Sequence, residues 1–260
     1  MSQLRCSVRL AVLLVVLGLL SGTASALPDV FTVTTTADTS DGSCDSHCSL
    51  REAITAANTA GTPHLITFAL PGTGVHTITL ASPLPDLVVD LIIEGYSQPG
   101  ASRNTRPTGA IDAVLRVQID GSLQAHIFRV ARGHTTISGL VLARAGALVH
   151  VQPTSGDPAL ATIRGNFFNT TPDGLAAAGG ADAAIYVNSA EVRVGGSQPA
   201  DRNVIGGVAS VPSAGLGVFI HHGAKAFVYG NLIGVDRTGT VALPFTGAGV
   251  RVQGDPVPTL

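Results

Sequence analysis

Gly165-Asn166-Phe167-Phe168-Asn169-Thr170-Thr171-Pro172-Asp173-Gly174 reappears 65 residues later as Gly230-Asn231-Leu232-Ile233-Gly234-Val235-Asp236-Arg237-Thr238-Gly239, and Ala183 to Val187 aligns with Ala248 to Val252 at the same offset. Two matches at one offset mark an internal repeat, the signature of an architecture built by stacking like units. If one repeat holds three coils, each takes about 22 residues, a length suited to short strands stacked on those of the next coil. The Gly-Asn pair followed by two apolar residues fits a corner. Gly permits the backbone conformation, and the side chains of Asn166 and Asn231 can bond backbone of their own or a neighbouring coil. Arg202-Asn203-Val204-Ile205 is a looser copy.

The rest of the chain agrees with short strands. Glycine is abundant, tryptophan is absent and Lys225 is the only lysine. Phe31 to Thr36, His76 to Leu80, Leu91 to Glu94, Val114 to Ile119, Ala184 to Asn188, Gly217 to His221 and Gly249 to Gln253 alternate or run apolar between Gly, Pro, Asn and Asp punctuation. One helix is predicted, over residues 49 to 60. Ser49 and Glu52 form a capping box, Leu50, Ala53, Ile54 and Ala57 share a face, and Gly61 and Pro63 stop the pattern. A single amphipathic helix ahead of many strands is what a stack needs to cover its first coil. The predicted fold is therefore an all-β solenoid, a right-handed parallel β-helix with a short N-terminal capping α-helix. The hand follows from the general preference of parallel crossovers.

Arg5 and Arg9, the apolar run Leu10 to Leu20 and Ala24-Ser25-Ala26 have the three-part layout of a cleaved export signal. The chain divides accordingly into a signal over 1–26, an N-terminal strand, cysteine loop and cap helix over 27–62, and stacked coils over 63–260. Loss of residues 1–26 leaves 234 residues with a formal charge of −4, which argues against nucleic acid as a partner. No later segment is apolar enough to span a membrane. Cys6 leaves with the signal, so Cys44 and Cys48 remain as an even pair in an exported chain, and a disulfide is expected. Zinc held by His47 and the two thiolates would have at most three local ligands. Calcium at Asp38, Asp41 and Asp45 would need alternate acidic positions that their spacing lacks. Neither is favoured, and no cofactor is expected.

The run Asp41-Gly42-Ser43-Cys44-Asp45-Ser46-His47-Cys48-Ser49-Leu50-Arg51-Glu52-Ala53, the Ser97-Gln98-Pro99-Gly100 turn, Gly195-Gly196 before Arg202-Asn203-Val204-Ile205, and Gly230 to Thr240 resemble one family. Bacterial secreted or surface proteins with a "CSLREA" N-terminal motif and right-handed parallel β-helix repeats share these features. The resemblance covers essentially the whole chain after the signal and implies a secreted or cell-surface location. In one respect the first repeat departs from the motif: Asn169 and Thr171 stand where the second repeat has Gly234 and Asp236, so a site using that aspartate is not duplicated.

Two functions are compatible with this. One is a non-catalytic extracellular or cell-surface module, adhesive or glycan-binding, with a polysaccharide or surface glycan as partner. The other is a polysaccharide lyase or glycoside hydrolase working along a groove. Catalysis would require clustered carboxylates, or acidic metal ligands beside a base. The best catalytic candidates, Asp182, Glu191, Arg193, Asp201, Arg202, Asp236 and Arg237, are dispersed and read equally as turn or strand-edge charges, so the module is the preferred reading. His221 and His222, adjacent on a predicted strand, should point to opposite faces. Arg132-Gly133-His134 carries no stronger signal. The end, Asp255-Pro256-Val257-Pro258-Thr259-Leu260, has no closing helix or polar coil and reads as a fragment of a longer protein.

Overall fold

The computed structural model describes residues 28–60, 63–154, 156–207 and 215–254. The export-signal reading over 1–26, the Gly61 stop and the 255–260 end lie outside these residues. In chain order the elements are β1 (Asp29–Val33), α1 (Leu50–Thr59), β2 (His64–Phe68), β3 (His76–Thr79), β4 (Leu91–Glu94), β5 (Val117–Val130), β6 (Gly133–Ser138), β7 (Leu140–Val151) and β8 (Ala159–Arg164). There follow β9 (Phe167–Phe168), β10 (Ala183–Asn188), β11 (Glu191–Gly195), β12 (Val204–Ile205), β13 (Leu216–His221), β14 (Lys225–Tyr229), β15 (Leu232–Ile233) and β16 (Val250–Gln253).

The strands make two parallel sheets. The first runs β1-β2-β4-β6-β8-β11-β14. The second runs β15-β12-β9-β7-β10-β13-β16, with β5 paired to both β3 and β7. Each sheet turns one side inward, as period-2 alternation dictates. Ile66, Ile93, Ile137, Ile163 and Val194 form one buried row across the first sheet, and Val149, Ile185, Val218 and their neighbours face them from the second.

Two features differ from expectation. The strand expected over Val114 to Ile119 begins at Val117 and continues to Val130, because β5 turns a corner without ending. Ser122 and Leu123 adopt positive φ, and the pairing with β7 resumes at Gln124. Arg144, also at positive φ, bends β7 beside it. The second difference is the step length. Asn203 stands 37 residues beyond Asn166 and 28 before Asn231. The 65-residue repeat thus spans two unequal steps rather than three of about 22 residues, with Val204-Ile205 of β12 paired between Phe167-Phe168 and Leu232-Ile233.

At this corner the three asparagines form a continuous chain of hydrogen bonds. Asn166 and Asn203 are buried, whereas Asn231 at the outer end is half-buried. The Asn203 side-chain oxygen accepts the Asn166 amide at 2.9 Å, and that of Asn231 accepts the Asn203 side-chain amide at 2.8 Å. Their own side-chain amides donate to Ile137, Ile163 and Val194 carbonyls.

Helix α1 packs against β1 and β2, at the end of the first sheet opposite β14. The Ser49 hydroxyl accepts the Glu52 amide at 3.1 Å and the Glu52 carboxylate accepts the Ser49 amide at 2.8 Å. Burial opposes charge on Glu52, but the amides of Ser49 and Asp41 overcome it and hold its carboxyl below the usual range. Leu50, Ala53, Ile54 and Ala57 join the same core as Val33, Ile66 and Phe68. Cys44 and Cys48 are joined by a disulfide in the loop leading to the helix. Gln98 of the Ser97-Gln98-Pro99-Gly100 turn is buried and bonds Leu70 both ways, at 2.8 and 2.9 Å. Among the described residues no helix is long and apolar enough to cross a membrane.

Asp236, buried in the loop after β15, organises that loop. Burial alone would raise its pKa, but the Thr238 hydroxyl at 2.7 Å and the amides of Thr238, Thr240 and Val241 at 3.2 Å bring it below the ordinary value. In the first repeat Thr171 does a similar task with its hydroxyl, which accepts the Ala176 amide at 3.1 Å. A depressed carboxyl stabilises the fold above the unfolded value, about pH 4, and that contribution disappears as pH falls through the folded value. The urea midpoint of the wild type should therefore drop more between pH 6 and pH 2 than that of Asp236→Asn; equal drops would contradict this role.

Candidate functional site

The side of the second sheet that faces away from the core carries a stripe of rings. On β7, Val149 and Val151 are buried and His150 between them points out; on β10, Ile185 and Val187 leave Tyr186 outside, and on β13 Val218 and Ile220 do the same for Phe219. Parallel pairing aligns Arg129, His150, Tyr186, Phe219 and Arg251 in one row across five strands. With neighbouring strands about 4.8 Å apart, the side chains touch. Ring centroids lie 6.0 Å apart for His126 and His150, 4.8 Å for His150 and Tyr186, and 5.1 Å for Tyr186 and Phe219. The last two pairs meet edge to face, the favourable arrangement for aromatic quadrupoles. His221 adds a ring 5.3 Å from Phe219, and the Arg251 guanidinium lies 5.4 Å over Phe219.

Beside the His150 end of the stripe is a cleft of about 510 Å3 between β5, β7 and β10. Burial chiefly, aided by His126 and Arg129, pushes the His150 imidazole down to about 4 against the opposing pull of Asp86 and Gln152. His126 is lowered too, by burial first, with Arg129 assisting and Asp86 opposing. In both rings the shift favours the uncharged form. Arg129 is paired with Asp86 at 2.9 Å. An uncharged aromatic row with polar groups at its edges can bury apolar faces of a ligand while bonding its rim.

The catalytic candidates are not brought together. Asp182 borders this cleft. Glu191 and Arg193 lie on β11 in the first sheet, Arg193 5.5 Å over Phe227 and Glu191 opposite Lys225. They share a pocket of about 280 Å3 with His134 and Thr162, whose side chains lie 2.9 Å apart. Asp201 sits in a turn 3.6 Å from Arg164. Arg202 donates to the carbonyls of Gly230, Arg106 and Gly109 at 3.0 to 3.2 Å, and Arg237 to those of Ala113 and Asp173 at 3.4 Å. Arg132 pairs with Asp157 at 3.6 Å.

The expectation for His221 and His222 needs correction. His221 ends β13 and His222 follows at positive φ, so strand alternation does not apply to the pair, and their rings lie 3.5 Å apart, centroid to centroid, instead of on opposite faces. The bonded cysteines have no thiolate to give zinc. Asp38 holds Arg51 at 2.8 Å, while Asp41 and Asp45 accept the Ser43 and His47 amides of their own turns. Among the described residues no group of three or more His, Cys, Asp or Glu is placed to hold a metal ion.

Of the stripe, sequence reading singled out His221 alone. Its signal was a bulky residue between two β-branched ones in Val149-His150-Val151, Ile185-Tyr186-Val187 and Val218-Phe219-Ile220. No protein-family model matches the chain, and no curated protein compared with it matches either.

Proposed function

We propose that the chain is an exported, cell-surface or secreted module of the CSLREA type, a right-handed parallel β-helix that binds glycans on its ring-bearing face. For the architecture, the support is the all-parallel pairing, in which each strand returns beside one from the preceding repeat step, and the helix over one end of the core. For export, it is the N-terminal sequence together with the disulfide.

The observation that carries the binding function is the row His150, Tyr186 and Phe219. Sugar rings have an apolar face of C–H groups and a rim of hydroxyls. A row of rings held by a rigid sheet buries the former at little entropic cost, since aromatic side chains have few torsions to fix. Adjacent rings one strand apart give an extended chain several contacts in succession. Each is weak, and the sum confers avidity.

The test is a glycan array with the exported protein, followed by titration of the best ligand. Tyr186→Ala and Phe219→Ala should each weaken binding about tenfold or more, as loss of central aromatic anchors does, with unchanged circular dichroism. Full binding by both variants would defeat the reading. Ultraviolet absorbance from unsaturated uronate, released on incubation with acidic polysaccharides, would replace it with a lyase.

A further inference from the structure

The cleft at the His150 end brings small residues, rings and polar groups together. Small residues line it: Ala125, which is exposed, with Gly146, Ala147 and Ala183. Gly146 is required there, because a Cβ would lie 2.7 Å from the Ala125 carbonyl oxygen of the neighbouring strand. The rings of His126, His150 and Tyr186 line it as well. Arg129, Gln152 and Asp182 are its longer polar lining residues. At about 510 Å3 the space is of small-ligand size, which is roughly 300 to 1,000 Å3.

Charge narrows the occupant. Arg129 is compensated by Asp86 at 2.9 Å, and Asp182 adds a further carboxylate. An anionic sugar would meet the Asp182 carboxylate and a guanidinium already engaged by Asp86. A cationic ligand would meet the same two opposite charges and would lie against imidazoles in surroundings that disfavour positive charge. A ligand without charge but rich in hydroxyls avoids both conflicts, since carboxylate, guanidinium and amide all bond hydroxyl groups.

Resting on the glycan reading above, we propose that this cleft takes one uncharged pyranose unit of a neutral glycan, its C–H face on Tyr186 and His150 and its hydroxyls toward Asp182, Arg129 and Gln152. The rest of the glycan continues over Tyr186 and Phe219 along the stripe. The site therefore selects neutral over uronate-containing chains.

Calorimetric titration of the exported protein with cellotetraose, mannotetraose and xylotetraose, and with tetragalacturonate as the charged probe, tests this. At least one neutral tetrasaccharide should bind, at least tenfold more tightly than tetragalacturonate and with little dependence on salt. Ala125→Trp, which plugs the cleft from an exposed position, and Asp182→Ala should each weaken that binding at least tenfold, with the thermal midpoint checked to show that the fold persists. Ala125→Leu serves as a smaller plug should the tryptophan disturb folding. Neutral binding that survives both plugs but is lost in Phe219→Ala would overturn the cleft assignment and leave the stripe reading standing. Tighter binding of tetragalacturonate would overturn the charge selection. Failure of all four oligosaccharides, with binding on the array intact, would overturn the pyranose assignment alone.

Discussion

Asn203→Leu should lower the free energy of unfolding by about 3 to 5 kcal/mol, because it removes the middle of a buried polar chain and strands the groups on both sides. Leucine shares the branched outline of asparagine, though it is bulkier, and it neither donates nor accepts. The Asn166 amide would lose its acceptor at 2.9 Å and the Ile163 carbonyl its donor at 3.0 Å, both in buried surroundings. Each such orphan costs about 1 to 3 kcal/mol. Asn231→Leu, at the half-buried end where water can replace a partner, should cost less, about 1 to 3 kcal/mol. Urea denaturation of both variants gives the comparison, read from midpoints at constant slope. A loss below 1 kcal/mol for Asn203→Leu, or an equal loss for the two, would show that the chain of asparagines does not stabilise the corner as described.

Gly195→Ala should be comparably damaging, at about 2 to 5 kcal/mol, for reasons that can be separated. Gly195 has φ of +84°, where an L side chain costs roughly 1 to 2 kcal/mol. A Cβ there would also overlap the Tyr229 carbonyl and the Asn231 side chain, so β11 and β14 must part, at about 1 to 3 kcal/mol for overpacking. Gly223 supplies the control. Its φ is +65° and nothing lies within 4 Å of its would-be Cβ, so Gly223→Ala carries the backbone cost alone. The difference in thermal midpoint between the two variants measures the contact, at about 2 to 4 °C per kcal/mol for a chain of this size. Identical midpoints would mean that the strands yield freely at this corner.

Gly195 also shows how sequence and fold divide. Gly195-Gly196 stood out as a motif, and its reason is the close approach of a strand that follows about thirty residues later. What the sequence determined by itself was local. The capping box and apolar face of α1 lie within one short segment, the cysteines are four residues apart, and Leu91–Glu94 alternates between clear breakers. The repeat was legible at 65 residues. Its division into steps of 37 and 28 was not, because loops of different length separate the strands while the strands alone set the pairing. The length of β5 was hidden for a related reason. Its corner is formed by Ser122 and Leu123, residue types that ordinarily avoid positive φ, held there by β7 bending alongside at Arg144.

The candidate catalytic residues were legible only as residue types, since charges spread along a sequence acquire a common site, or fail to, through pairing between distant strands. The ring stripe is the opposite case. His150, Tyr186 and Phe219 stand 36 and 33 positions apart and mean little singly. Strand alternation turned each outward, a local property, but only the parallel register placed them side by side. A slip of one residue in β10 would bury Tyr186 and break the row, so the site belongs to the tertiary structure.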